Sequence, residues 1–122
     1  MSKTILIIED DLGIRSSLQE LYESEGYSVL VASNGRAGLD LLDDESKATL
    51  GLILLDLMMP VMSGAVFLAE LQRAHPALYA TVPVFVISAA GDAQLLTVKP
   101  TGCLKKPLDL EELTALAKRH CH

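Results

Sequence analysis

Cysteine is scarce in this chain: there are two, Cys103 and Cys121, and neither sits in a CxxC pair or a zinc-spaced set. At most one disulfide can form, so a cystine framework is excluded and free thiols in a reducing compartment are expected. His120, Cys121 and His122 carry metal-ligand atoms, but three successive residues at a chain end are poorly pre-organised for a closed site. A frayed tail is the expectation there. Long hydrophobic runs are also missing. Hydrophobic residues make up 50% of the chain, yet stretches such as Leu52 to Leu55 and Val84 to Ile87 are far too short to cross a bilayer. The formal charge is −6 and no Lys/Arg-rich stripe is present, which argues against direct nucleic-acid binding, because phosphate contacts need clustered cations. Met1-Ser2-Lys3 runs directly into an apolar pattern at Thr4 to Ile8 without a secretory leader, so a cytoplasmic location is expected.

What the chain does contain is a regular alternation. Its 122 residues suit one domain, residues 1–122, around one core. Continuous apolar runs of strand length, separated by helix-like stretches, predict buried parallel strands with helices on both faces, an α/β doubly wound fold. Strand one is Thr4 to Ile8; the next helix carries Ile14, Leu18, Leu21 and Tyr22 on one side and stops at Gly26. Strand two is Ser28 to Ala32, and Asn34 is the N-cap of a helix through Ala37, Leu41 and Leu42, followed by a loop from Asp43 to Thr49. Strand three, Leu52 to Leu55, ends on Asp56. Pro60 and Gly64 shape a turn before a helix bearing Ala65, Leu68, Leu71 and Gln72, which ends near His75-Pro76. Strand four, Val82 to Ile87, delivers Ser88. A short segment from Ala89 to Pro100 leads to strand five at Gly102 to Lys105, and Asp109 with Glu112 starts a helix whose Leu110, Leu113, Leu116 and Ala117 face inward. No repeat, low-complexity tract or inter-domain linker interrupts this order, so a stand-alone domain is expected.

In such a sheet the ligand crevice lies outside the carboxyl ends of the strands. Glu9, Asp10, Asp56, Ser88 and Lys106, scattered in sequence, should therefore meet at one edge. Singly each has an ordinary structural use: Asp10 or Asp11 as a helix cap, Asp56 as a strand end, Ser88 as a cap, Lys106 as a solvated cation. Together they imply chemistry. Ionised Glu9, Asp10 and Asp56 at short range repel one another, so either their pKa values rise or cations compensate them. A hard divalent ion and Lys106 are the compensators at hand. Mg²⁺ suits a few carboxylate oxygens plus waters and a phosphoryl oxygen, and it neutralises charge on a transferring phosphoryl group.

Four ordered motifs then become specific: Ile7-Ile8-Glu9-Asp10-Asp11, Leu54-Leu55-Asp56-Leu57-Met58-Met59-Pro60 with Gly64 after it, Ile87-Ser88-Ala89, and Lys105-Lys106-Pro107. Over essentially its whole length the chain resembles the response-regulator receiver domains of bacterial two-component signalling. The resemblance implies a flavodoxin-like (βα)5 fold, a five-stranded parallel sheet of order 2-1-3-4-5. It implies that Asp56 is the phosphoacceptor nucleophile, that Asp10 and Asp56 hold Mg²⁺ directly with Glu9 assisting, and that the Met58 backbone carbonyl completes the protein ligands. Ser88 would donate its hydroxyl to a phosphoryl oxygen and Lys106 would pair with the phosphoryl charge. The implied partners are a sensor histidine kinase or histidine phosphotransfer protein as donor and a downstream protein target, with no role at a membrane. Lys99-Pro100 repeats the Lys-Pro pair, but Lys106 follows the apolar Cys103-Leu104 and precedes the capped last helix at once.

Rival families fit less well. An aspartate-nucleophile phosphatase of the haloacid dehalogenase type resembles D-x-D, whereas this chain reads Asp56-Leu57-Met58; a flavodoxin carries a phosphate loop where Glu9-Asp10-Asp11 would repel phosphate. The alternative within the fold is a pseudo-receiver, an interaction module that works without phosphorylation. Two departures point that way. Cys103, expected to be a small buried hydrophobe, occupies the place where the family commonly has a switching aromatic, and the segment between Ser88 and Lys106 is about four residues, roughly one helical turn, short. The resemblance also implies that the side chains two residues after Asp56 and Ser88 flank the attacking water; here they are Met58 and Ala90, which cannot orient it, so slow loss of the phosphoryl group is expected.

Overall fold

An apolar run with no polar interruption must be covered on both faces, and the two longest-buried runs of this chain form the middle of its sheet. The computed structural model describes residues 3–43, 49–59, 61–88 and 96–121. In chain order the elements are β1 (Thr4–Ile8), α1 (Leu12–Ser24), β2 (Ser28–Ala32), α2 (Gly35–Leu42), β3 (Leu50–Asp56), α3 (Gly64–Ala74), α4 (Pro76–Thr81), β4 (Val84–Ser88), β5 (Gly102–Lys105) and α5 (Leu110–His120). All strand pairs are parallel, in the order β2-β1-β3-β4-β5. This is the flavodoxin-like order expected from the resemblance.

Every residue of β1 and β3 is buried, and their side chains alternate between two cores. Ile5, Ile7, Leu52 and Leu54 pack with Leu18 and Tyr22 of α1 and with Leu113, Leu116 and Ala117 of α5. Leu6, Ile8, Ile53 and Leu55 pack with Leu39 and Leu42 of α2 and Phe67, Leu68 and Leu71 of α3. At about 1.5–3 kcal/mol for each fully buried large aliphatic side chain, these two strands anchor the molecule. The Tyr22 hydroxyl donates to the Leu113 carbonyl at 2.9 Å in the buried layer, tying α1 to α5.

The helix ends follow their local chemistry. Asp11, Asn34, Ser63 and Asp109 cap α1, α2, α3 and α5 by accepting backbone N–H bonds from Ile14, Ala37, Val66 and Glu111. Helix α1 ends in a Schellman turn: Tyr27 N–H bonds the Tyr22 carbonyl, Gly26 N–H bonds the Glu23 carbonyl, and Gly26 takes φ +94°, a conformation that favours glycine. The Tyr22 and Tyr27 rings close the turn edge to face at 6.2 Å.

Several expectations need correction. Strand β3 starts earlier, at Leu50, and β4 starts later, at Val84, because Pro83 has no N–H to give the ladder. Pro76 does not merely end α3; it opens the separate helix α4 from the first position, where its missing N–H costs nothing. On α3 the inward residues are Phe67, Leu68 and Leu71, while Ala65 and Gln72 are exposed. Leu110 is also exposed, at 65%, as the first residue of α5. Cys103 is exposed rather than buried: on the edge strand β5 it is Leu104 that turns into the core. The tail is docked through Cys121, which lies in the core against α1 and α5 neighbours, and His120 packs on Phe85 with ring centroids 5.5 Å apart. Residues 44–48 of the expected loop, Pro60, most of the Ala89 to Pro100 segment and His122 lie outside the described residues.

Replacing Tyr22 by Phe removes the α1 to α5 hydrogen bond and leaves the packing. A loss of about 1 kcal/mol is expected, read as a lower urea midpoint with an unchanged slope.

Candidate functional site

Parallel register assembles the site. Ile8 pairs with Leu55 and Asp56 with Ile87, so Glu9, the next residue on from β1, comes beside Asp56, and Ser88 follows one step on. Ser88 pairs with Lys105, which sets Lys106 at the same edge. Backbone bonds close this edge: Leu57 N–H donates to the Ile87 carbonyl at 3.2 Å and Lys106 N–H to the Ser88 carbonyl at 3.1 Å. The Lys106–Pro107 peptide is cis. Gly64 lets α3 begin against the end of β3, since a Cβ there would stand 2.7 Å from the Asp56 carbonyl oxygen and 2.8 Å from the Leu57 Cα.

All the expected side chains arrive at this edge. Carboxylate oxygens of Glu9, Asp10 and Asp56 lie within 4.8 Å of one another. Lys106 Nζ stands 3.7 Å from Asp56 Oδ1, and the Met58 N–H donates to the same oxygen at 3.4 Å. Asp56 and Ser88 are buried, Asp10 is exposed, and the Met58 side chain faces solvent. Lys99 takes no part; its carbonyl accepts the Tyr79 hydroxyl at the far end of the sheet.

Glu9 is the group under most electrostatic tension. It is 1% exposed, and neither of its carboxylate oxygens has a hydrogen-bond partner. Burial, then the Asp56 carboxyl beside it, push its pKa up to about 8, with Lys106 pulling the other way. Two orphaned buried oxygens facing two further carboxylates form an all-oxygen donor set of the kind a small hard cation satisfies. The residues present therefore fit a divalent ion of the Mg²⁺ type.

Nothing in the sequence singles out one more participant. Arg15 Nη1 donates to the Glu9 carbonyl at 2.8 Å and to the Asp10 carbonyl at 3.4 Å. A lone arginine on a polar helix face belongs to no motif, and only the fold of α1 back over the end of β1 reveals its target.

Likeness to known proteins covers almost the whole chain. Residues 5–118 match the family described as the response regulator receiver domain. The chain belongs to that family. This receiver domain is 39% identical over 115 residues to the transcriptional regulatory protein CpxR of Escherichia coli, a match that covers 91% of this chain and 46% of CpxR. It thus spans about half the length of that relative. It is 31% identical over 124 residues to the sporulation initiation phosphotransferase F of Bacillus subtilis, covering 98% of this chain and 94% of that protein. The structure of chemotaxis protein CheY4 of Vibrio cholerae superposes with a TM-score of 0.84 at 26% identity, covering 98% of this chain and 99% of the other. The receiver is a two-component signalling module, and no helix among its described residues is long and apolar enough to cross a membrane.

The elevated pKa of Glu9 carries a sign that can be measured. In metal-free protein the folded state holds a proton on Glu9 up to about pH 8, while the unfolded chain releases it near the ordinary value of 4.5. The folded state binds the excess proton between those values, so this group's contribution to stability falls as pH rises across that window. Melting temperatures in chelator from pH 5 to pH 8 should decline more steeply for the wild type than for Glu9→Gln; parallel profiles would contradict the origin assigned to the shift.

Proposed function

We propose that this receiver, acting as one domain over residues 1–122, takes a phosphoryl group from a phosphohistidine donor onto Asp56 with Mg²⁺ present. The observation that carries the reading is the convergence of Glu9, Asp10 and Asp56 within 4.8 Å, with Lys106 3.7 Å from Asp56. Asp10, Asp56 and the Met58 backbone carbonyl would hold the ion, with Glu9 assisting. When bound, the ion supplies charge neutralisation for the carboxylates and for the incoming phosphoryl oxygens.

The chain's own residues do the rest. An Asp56 carboxylate oxygen attacks phosphorus as the bond from phosphorus to the donor's imidazole nitrogen breaks, giving an acyl phosphate and neutral imidazole once that nitrogen carries a proton. Lys106 faces the charge that gathers on the transferred group, and Ser88, at the end of β4, donates its hydroxyl to one of the phosphoryl oxygens. Burial of Asp56 limits competing attack by bulk water. The donor is a sensor histidine kinase or a histidine phosphotransfer protein, and the phosphorylated domain acts in the cytoplasm through contacts with a downstream protein. The net charge of −6 gives no support to direct contact with nucleic acid. The domain catalyses its own phosphorylation and slow dephosphorylation and is not an enzyme acting on other substrates.

Intact mass after incubation with a small phosphodonor tests this. One phosphoryl adduct is expected in Mg²⁺, with none in excess chelator and none on Asp56→Asn; an undiminished adduct on Asp56→Asn would rule out the assignment. No adduct on the wild type, from the small donor or from a phosphohistidine protein, would favour the pseudo-receiver reading. Lys106→Ala should slow phosphorylation on the order of 100-fold while leaving Mg²⁺ affinity largely intact, since the metal ligands are oxygens; loss of Mg²⁺ binding in that variant would contradict the roles given.

A further inference from the structure

The side chains of Glu9 and Asp10 do not hold themselves in place. Glu9 is buried with both carboxylate oxygens unpartnered, and it faces Asp56, whose charge it would share once ionised. Position must come from the main chain. The Glu9 N–H donates to the carbonyl of Ala32, the last residue of β2, at 3.0 Å. Its carbonyl, beyond the end of the β1 ladder, accepts from Arg15 Nη1 at 2.8 Å, and the same nitrogen reaches the Asp10 carbonyl at 3.4 Å. Arg15 is half-buried in the first turn of α1, whose own start is fixed by Asp11 accepting the Ile14 N–H.

We infer that Arg15 is a positioning residue for the acidic site: by bonding the Glu9 and Asp10 carbonyls it pins the peptide from which both carboxylates project and keeps them converged on Asp56. The inference rests on the reading that these acids hold a divalent ion. A guanidinium suits the task because it keeps its charge at all working pH values and offers several donors in one plane. It also meets the part-buried Glu9 carbonyl, a main-chain acceptor that needs a partner.

The sign of one measurement separates this role from simple charge. A cation near an acidic site opposes the binding of Mg²⁺, so if Arg15 acted through its charge alone, removing it would tighten binding. A positioning role predicts the reverse. Calorimetric titration of the full chain with MgCl₂, well below the melting transition, should show Arg15→Met binding about tenfold more weakly than wild type, in the range for outer-shell residues. Amide shifts of Glu9 and Asp10 should move in the metal-free variant. Arg15→Lys keeps the charge but not the planar fork; it should bind Mg²⁺ severalfold more weakly, whereas a pure charge effect leaves it at the wild-type value, and it decides the matter if Arg15→Met does not fold. Wild-type or tighter affinity in either folded variant overturns the inference. Failure of the wild type to bind Mg²⁺ overturns the metal reading beneath it, and with it the inference.

Discussion

Three carboxylates converge at one end of a parallel sheet, and one of them, Glu9, is buried without a hydrogen-bond partner. Mutual repulsion between such groups is the force against which the rest of this edge is built. A proton held on Glu9 relieves part of it in the metal-free protein. The remaining opposition comes from strand register, which sets Glu9 beside Asp56, from Gly64, which lets α3 close over the end of β3, and from two cations placed differently. Lys106 approaches the acids directly at 3.7 Å, while Arg15 grips the backbone that carries two of them. Arranged in this way, the edge presents carboxylate oxygens of Glu9, Asp10 and Asp56 within 4.8 Å of one another.

The core makes that arrangement rigid. β1 and β3 are buried on both faces, and their residues alternate between a layer with α1 and α5 and a layer with α2 and α3. Glu9 and Asp56 therefore leave the two best-anchored strands of the molecule, within one residue of the packed region. Sites set on regular elements hold their geometry more tightly than sites set on loops. Asp10, already one residue further out and exposed, is the acid with the least of this support.

Much of this was legible in the sequence, for a physical reason: parallel strands covered on both faces read as unbroken apolar runs, and the residue that ends such a run lies at the ligand edge. That logic points to Asp56, Ser88 and Glu9, and the family resemblance carried by the four motifs implies the strand order. It worked less well where tertiary context decides. Leu110 satisfies helical periodicity yet sits in the open first position of α5, and Ala65 and Gln72 lie one step off the buried stripe of α3. Cys121 closes the α1 and α5 layer although chain ends tend to fray, because the last helix carries it back onto the sheet. Pro76 reads as a stop signal and is equally a start signal, so α4 was invisible in composition alone. Arg15 was beyond reach, since its partners are main-chain carbonyls that carry no sequence signature.

The backbone bond from Lys106 to Ser88 has a consequence for how such a chain can change over generations. The β4 and β5 register and that bond fix both ends of the connection between them. Residues can be lost or gained within the connection at a small entropic cost while Ser88 and Lys106 keep their places. A single insertion in β1 is different: with side chains alternating between two layers, it would exchange the contents of both and turn Glu9 away. Variation in length within the connection from β4 to β5 thus leaves Ser88, Lys106 and the carboxylate edge in place.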